Sequence, residues 1–333
     1  ENVLTSGGSR EAGLAAARAE FYEGSIARAI CTFHEENGGW LRMSDLASFE
    51  VNPTPAESLR VFGATVYTCG PWCQGPFLLQ ILALMQFDDL ASMGHNTPEY
   101  LHLLIEAVKL AAADREAHYA DPDFTDVPIS KLLSIEYNRA RRSLITDMAL
   151  GPEGFVSGDP DTTVTAPTPA FEGAVPELGN AQDTSYLCVI DGDGNCFSAT
   201  PSDGVSGGPM IPGLGLCPST RGSQSRMDPE HASAIAPGRR PRLTPNPAIA
   251  VFDDGRIFPL GTPGGDVQCQ AMVQVFLNYA VFGMNPQEAV EAPRVSSYAF
   301  PNSFAPHDYF PYLLKLESRI ASEVSKALVR QIF

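Results

Sequence analysis

Positive charge is scarce in this chain of 333 residues, in which 22 lysines and arginines face 39 acidic residues for a formal net charge of −17. Proteins that bind nucleic acid or an anionic membrane normally present a basic surface, so the composition disfavours both partners. Apolar runs of the ~20 residues that a membrane-spanning helix needs are also missing. The opening stretch "ENVLTSGGSREAG" lacks a charged segment followed by an apolar run. We therefore expect no signal peptide there and favour the cytoplasm over a secreted location, although the compartment stays open.

Signals for disulfides, metals and cofactors are equally sparse. The seven cysteines are odd in number and scattered, unlike a disulfide framework. The six histidines show no chelating spacing, and neither a GxGxxG nor a P-loop pattern is present, so we expect no metal and no cofactor. The stretch "DGDGN" fails as a calcium loop that starts at Asp191, because Cys196 stands where such a loop needs glycine and Ser202 where it needs an acid.

The stretch "CGPWC", from Cys69 to Cys73, has two interpretations. Its cysteines are one residue further apart than those of the common redox motif. A turn that leads into a helix is therefore the favoured interpretation, and a thiol redox site is the alternative.

What the sequence does contain is the material of a globular protein, with 44% hydrophobic and 18% charged residues. Helical periodicity predicts helices over residues 10–36, 98–119, 129–147 and 267–283, a further one after "PWCQGP", and a short one in "SDLASFE" that Ser44 caps. Residues 57–68 have a strand pattern. Two hairpins are predicted, with turns at Gly192–Gly194 and at Asp254–Gly255.

The segment before the first of these hairpins suggests a nucleophile. Residues 151–183 are rich in proline, glycine, threonine and acid without a sustained period, which predicts an exposed, flexible connector. Asp183 and Thr184 follow it and stand in front of the strand-like run "SYLCVID". A threonine at the start of a strand can attack a carbonyl once the peptide bond before it is cut, because its freed α-amine serves as general base. Most threonines in such a place are structural, so this signal alone is weak.

A second element is the stretch "LGTPGGDVQCQ", in which Gly264 and Gly265 lie between a strand and a long helix. Backbone N–H groups at such a turn, together with the positive end of the helix, are the components of an oxyanion hole. A plain connection between strand and helix is the simpler alternative.

Together these elements resemble the gamma-glutamyltransferases, which are N-terminal-nucleophile hydrolases made as one proenzyme that cuts itself into a large and a small subunit. The stretches that carry the resemblance occur in the order of that family: "AEFYEGSIARAI", "ENGGWLRMSDLASFE", "ADREAHYADPDF", "DTSYLCVIDGDGN", "APGRRPR", "LGTPGGD" and "MNPQEAVEAPR".

The resemblance implies an α+β fold, the four-layer αββα sandwich of the N-terminal-nucleophile hydrolases. It implies self-cleavage between Asp183 and Thr184, which would make residues 1–183 the end of a large subunit and residues 184–333 a small subunit, together one domain truncated at both ends relative to the family. Thr184 matches the catalytic threonine, Ser202 a hydroxyl residue that supports it, and Gly264 and Gly265 the oxyanion-hole glycines. The implied partners are a small-molecule amide and the chain's own cleaved subunit, and further dimerisation is left open.

The predicted acyl pocket departs from that family. The familiar transpeptidases hold the glutamyl α-carboxylate with paired serines after the "RP" motif, where this sequence has Leu243 and Thr244. They hold the α-ammonium with an acid in a loop that here reads "STRGSQSRM" and offers Arg221 and Gln224 instead. Since a cation repels an ammonium and attracts an anion, we expect the acyl group to carry an acid and to lack the free amine.

A non-enzymatic alternative stays open, in which the chain neither matures nor turns over and acts as a binding protein. The altered pocket favours it, as does the expectation that family members continue beyond both ends of this sequence. The small basic cluster of Arg239, Arg240 and Arg242 is predicted to pair with acids or to border the substrate entrance.

Overall fold

The computed structural model describes residues 2–152, 155–161, 165–167, 184–203 and 208–332, and these divide into two units. Within the described ranges, the first unit contains residues 2–54 and 208–220, and the second contains residues 55–203 and 221–332. All the predicted site residues that the structure describes belong to the second unit.

The first unit is mainly helical, and its described helices are α1 (Asn2–Thr5), α2 (Arg10–Tyr22), α3 (Ser25–Glu36) and α4 (Met43–Ala47). The single helical stretch predicted over residues 10–36 is wrong, because Gly24 breaks it and caps α3. A Cβ at Gly24 would lie 2.6 Å from the carbonyl oxygen of Glu20, so only glycine permits this break. Ser44 is not a cap either, since it lies inside α4. Arg42 precedes that helix, and its backbone N–H donates to Asp45 Oδ2 at 2.8 Å.

The second unit mixes helices and strands. Its described helices are α5 (Gly75–Met85), α6 (Leu90–Met93), α7 (Pro98–His118), α8 (Ile129–Leu132), α9 (Ile135–Arg142), α10 (Val267–Ala280), α11 (Pro286–Glu291) and α12 (Ser322–Ile332), with a 3-10 turn at Arg221–Gln224. Its described strands are β1 (Glu57–Val61), β2 (Ala64–Thr68), β3 (Val156–Gly158), β4 (Thr165–Pro167), β5 (Leu187–Ile190), β6 (Cys196–Ala199), β7 (Ala248–Phe252), β8 (Ile257–Leu260), β9 (Val295–Ser297) and β10 (Leu314–Leu316).

An antiparallel sheet in the order β1–β2–β7–β8 organises the described part of this unit. The predicted hairpin at Asp254–Gly255 is confirmed, and Gly255 has the positive φ of 87° that glycine adopts without strain. Residues 57–68 form two strands rather than one, because the chain turns at Phe62 and Gly63. The pairing of β2 with β7 places segments from before and after the predicted cleavage point side by side in one sheet.

Helix α5 forms the centre of the core, since it is buried along its whole length and has no polar side chain except Gln80. It packs against α7, α9, α10 and strand β1. Burying a side chain such as Phe77 or Leu78 contributes about 1.5–3 kcal/mol. The turn that precedes α5 therefore leads directly into a fully buried helix, which bears on the site described below.

The helix predicted over residues 129–147 is divided into α8 and α9, because the Ser134 hydroxyl caps α9 by accepting a 3.2 Å hydrogen bond from the backbone N–H of Tyr137. Within the predicted connector, β3 pairs with β4, and Gly158 donates its backbone N–H to Asp114 Oδ1 at 2.7 Å. Residues 153–154, 162–164 and 168–183 of that connector lie outside the described residues.

The predicted mixture of helix and antiparallel strand is confirmed. Within the ranges that the structure describes, no helix is both long and apolar enough to cross a membrane.

Candidate active site

Thr184 and Ser202 lie opposite each other at the open end of the β5–β6 hairpin. An antiparallel bridge joins the two residues in the same register as the hairpin pairs, and Ser185 donates its backbone N–H to the Pro201 carbonyl at 2.9 Å. Directly opposed residues project from the same face of an antiparallel pair. As a result Thr184 Oγ1 lies 2.6 Å from Ser202 Oγ, within hydrogen-bonding distance. Asp183, the other predicted cleavage residue, lies outside the described residues.

Tyr186 holds this hairpin against the end of β8. Its hydroxyl hydrogen-bonds Ser198 Oγ at 3.0 Å, on the neighbouring strand. A Cβ at Gly261 would lie 2.2 Å from the Tyr186 ring, so the ring packs directly on the backbone of the loop that leads from β8 to the predicted glycine pair. Glycine is required at position 261 for this approach.

Gly264 and Gly265 form the turn between that loop and α10. Both have positive φ, 127° and 57°, and their carbonyls accept hydrogen bonds from Val267 N (3.0 Å) and Gln268 N (3.2 Å). Among the described residues, no acceptor receives a hydrogen bond from the N–H of either glycine. The carbonyls thus face the start of the helix while both N–H groups stay available to an anion near the positive end of α10.

The three predicted substrate-binding residues come together in one cluster. Arg221 Nη1 donates to Gln224 Oε1 and to Thr244 Oγ1, each at 3.1 Å, and Gln224 Nε2 donates to Thr244 Oγ1 at 3.3 Å. Arg221 Nη2 donates to Ser202 Oγ, which connects the cluster to the Thr184 pair. Burial lowers the pKa of Arg221 from its ordinary value, and the nearby Asp203 opposes that shift.

Phe304 is a site residue that the sequence did not predict. The guanidinium of Arg221 stacks over its ring, with the carbon at the centre of the guanidinium 5.4 Å from the ring centroid. A Cβ at Gly265 would lie 3.5 Å from the same ring. Phe304 therefore fills the space between the arginine and the glycine turn as an apolar wall.

Gln74 hydrogen-bonds the backbone of two segments of the site, and the sequence analysis did not predict it either. Its side-chain nitrogen donates to the carbonyls of Thr244 (3.1 Å) and Gly265 (3.3 Å), so one buried amide holds both the predicted acyl pocket and the glycine turn. Arg115 Nη1 in turn donates to Gln74 Oε1 at 2.9 Å and to Asp266 Oδ1 at 2.6 Å. Arg115 and Asp266 lie in stretches that carry the family resemblance, but nothing in the sequence singled out Gln74.

The stretch from Cys69 to Cys73 is a turn that leads into α5, which is the structure favoured from the sequence. Cys73 donates its N–H to the Gly70 carbonyl at 3.0 Å and its thiol to the Pro245 carbonyl at 2.5 Å. Leu243 donates its N–H to the Trp72 carbonyl at 2.9 Å. The turn therefore positions the segment that carries Thr244, and all seven cysteines are free thiols.

Two arginines of the predicted basic cluster, Arg240 and Arg242, pair with acids, whereas Arg239 donates to the Ala234 carbonyl and stacks on Phe124. Arg240 donates from two of its nitrogens to Asp121 and also contacts Asp123, while Arg242 Nη2 lies 3.0 Å from Glu116 Oε1.

Glu116 is buried, which raises its pKa. Arg242, His231, Arg226 and Arg115 more than reverse that effect, so the pKa of Glu116 lies well below its ordinary value.

Known proteins share this architecture. A family model described as gamma-glutamyltranspeptidase matches residues 11–331. The chain is 31% identical over 314 residues to the acylase ACY 1 proenzyme of Pseudomonas sp. (strain SE83), which covers 92% of this chain and 50% of that protein. It is 29% identical over 276 residues to the oxamate amidohydrolase proenzyme of Klebsiella pneumoniae, with 82% and 48% covered. A solved structure of LmbA superimposes with a TM-score of 0.86 at 34% identity, with 97% of this chain and 58% of that chain covered.

The chain thus spans about half the length of the curated relatives it matches. The family model nonetheless matches the chain almost from end to end, and it includes the hairpin, the arginine cluster and the glycine turn. The chain belongs to the gamma-glutamyltranspeptidase family.

Proposed function

We propose that this chain carries the catalytic centre of a self-processing amidohydrolase or acyltransferase that takes an acyl group with a carboxylate and without an α-amine. The contact of Arg221 with both the predicted acyl pocket and the Thr184–Ser202 pair is the observation that carries the proposal. Within it, residues 1–183 belong to the large subunit, residues 184–333 to the small subunit, and the chain to a four-layer αββα sandwich.

In this mechanism self-cleavage frees the α-amine of Thr184, which then accepts the proton of its own hydroxyl. Thr184 Oγ1 attacks the amide carbonyl, and the amine of the leaving group takes up the proton as the carbon–nitrogen bond breaks. The N–H groups of Gly264 and Gly265 stabilise the oxyanion of the tetrahedral intermediate. Water or an acceptor amine then releases the acyl group from Thr184.

The charges of the predicted acyl pocket support an acyl group that has a carboxylate and no ammonium. Arg221 is 8% exposed and Thr244 is 1% exposed, so both present hydrogen-bond donors in a largely water-free place. A carboxylate gains from such donors, whereas an ammonium beside the guanidinium is repelled. The name of the oxamate amidohydrolase relative is in keeping with this, because oxamate is an amide with a carboxylate and no amine.

Three p-nitroanilides test the substrate class by their kcat/KM. The glutaryl compound has the carboxylate alone, the γ-glutamyl compound has the carboxylate and the amine, and the butyryl compound has neither. We expect kcat/KM for the glutaryl compound to be at least about tenfold higher than for either of the others. The butyryl compound leaves the buried arginine without a carboxylate, the γ-glutamyl compound brings an ammonium without an acidic partner, and a buried charge without its partner lowers kcat/KM by more than about tenfold. Preference for the γ-glutamyl compound would contradict the proposed acyl group and return the substrate to an ordinary glutamyl donor.

A further inference from the structure

Arg221 spans the distance between the acyl pocket and the nucleophile. Its Nη1 donates to Gln224 and Thr244, and its Nη2 donates to Ser202 Oγ. Ser202 Oγ is in turn 2.6 Å from Thr184 Oγ1. The positive charge is thus one hydroxyl group away from the oxygen that we propose as the nucleophile.

The chemistry of these groups gives the contact a direction. A guanidinium has only donors, so Ser202 Oγ is the acceptor in its bond with Arg221. The hydroxyl of Ser202 keeps its one hydrogen, which can be directed at Thr184 Oγ1 as the acceptor, and the 2.6 Å contact allows this arrangement. In that arrangement the charge that grows on Thr184 Oγ1, as its own proton departs, is met by a donor that Arg221 polarises.

Self-cleavage has a particular need for such help. Before the chain is cut, the nitrogen of Thr184 is an amide and cannot act as a base. Thr184 Oγ1 must attack the carbonyl carbon of Asp183, the carbon–nitrogen bond must break, and the hydroxyl proton must pass to the departing nitrogen. Water then hydrolyses the resulting ester to give the Asp183 carboxylate and the free hydroxyl of Thr184.

We infer that Arg221 is a positioning residue for the nucleophile, acting through Ser202 in self-cleavage as well as in turnover, in addition to any contact with the acyl group. The inference rests on the proposed function. It differs from a role in substrate binding alone, because self-cleavage involves no substrate and should still depend on Arg221.

The experiment measures the rate at which freshly made precursor converts to the pieces 1–183 and 184–333, by intact mass. The variants are Arg221→Gln, Arg221→Lys, Ser202→Ala and the double variant Arg221→Gln with Ser202→Ala. We expect Arg221→Gln to slow self-cleavage at least tenfold, and Arg221→Lys to keep part of the rate because one ammonium can still reach Ser202. The double variant should be no slower than the slower single variant, because both act through one contact.

Arg256→Gln is the matched control for loss of an arginine charge, since Arg256 is exposed and pairs with Asp254 away from the site. It should cleave at the unmodified rate. Thermal unfolding of each variant shows whether it is folded. If Arg221→Gln is not folded, the rate of self-cleavage of Arg221→Lys provides the test instead.

Two results would overturn the inference while the proposed function stands: an Arg221→Gln chain that cleaves as fast as the unmodified chain, or effects of the two single variants that multiply in the double variant. An unmodified chain that stays whole would overturn the proposed function and the inference with it.

Discussion

At the scale of single residues, the backbone conformation of the glycine turn matters as much as any side chain. Gly264 has a φ of 127°, which a residue with a Cβ rarely adopts, and the turn keeps its carbonyls on the helix and its N–H groups available. The oxyanion function proposed here depends on that orientation rather than on the chemical nature of glycine.

Gly264→Ala should therefore lower kcat by about tenfold to a hundredfold, less than the loss of a whole oxyanion donor, because the N–H is turned rather than removed. Gly255→Ala is the control, since Gly255 also has a positive φ but lies in the β7–β8 turn with nothing within 4 Å of an added Cβ. It should lose some unfolding free energy and keep its activity. Equal kcat in the two variants, measured on the glutaryl compound, would remove Gly264 from the mechanism.

At the scale of elements, the turn before α5 connects the two halves of the site. Gln74 directly precedes this buried helix, and its side chain binds the carbonyls of Thr244 and Gly265, which lie in different segments. Because α5 is buried along its whole length, its N-terminal turn is a fixed platform for both segments.

Gln74→Leu removes these bonds, so the Thr244 carbonyl and one Arg115 donor lose their bond to Gln74, while the Gly265 carbonyl keeps only its bond from Gln268 N. We expect the unfolding free energy to fall by about 1–3 kcal/mol and kcat/KM to fall at least about tenfold, because a displacement of the site by an ångström is costly. Gln86→Leu, at the other end of the same helix, loses only a 2.9 Å bond to the Ala83 carbonyl and should keep its kcat/KM. Chemical denaturation and steady-state kinetics on both variants distinguish a role in the site from a role in the helix alone.

The same scale shows what could be predicted from the sequence. Local pattern predicted the hairpin, whose register places Thr184 opposite Ser202, but Ser202 itself was singled out only by the family resemblance. The break at Gly24 depends on its close approach to the backbone of Glu20. The start of α4 before Ser44 depends on the Asp45 carboxylate, which accepts from the backbone of Arg42. Hydrophobic periodicity reveals neither contact. Gln74 and Phe304 reach the site only through tertiary folding, from segments far apart in the chain, so no local signal marks them.

At the scale of the whole molecule, segments from both sides of the predicted cleavage point share one sheet and one core. Strand β2 pairs with β7, and α5 packs on α10. Glu116 on α7 adds a buried ionic link to Arg226 and Arg242, which follow the cleavage point. The two predicted pieces should therefore stay together after cleavage.

The link at Glu116 predicts a dependence of stability on pH. Its pKa in the folded state lies well below its ordinary value of about 4.3, so its contribution is present above that pH and is lost as the pH falls through the folded-state pKa. Glu116→Gln should lower the unfolding free energy at pH 7 by about 3–5 kcal/mol, because it leaves buried arginines without their partner. The gap to the unmodified protein should narrow below about pH 4.

Asp254→Asn, at an exposed ion pair with Arg256, is the control and should leave stability unchanged. Denaturation curves of the three proteins from about pH 3 to about pH 8, a range that extends to both sides of the ordinary glutamate pKa, provide the test. A gap that is constant over this range would show that the ionic charge of Glu116 contributes nothing to the fold.

Intact-mass analysis of the purified protein beside its Thr184→Ala variant shows whether Thr184 cuts its own chain. We expect two co-purifying pieces, residues 1–183 and 184–333, in the unmodified protein and one uncut chain in the variant. A single uncut chain in both, or the same two pieces in both, would contradict Thr184 as the nucleophile of its own maturation. The uncut result would favour the non-maturing binding protein instead.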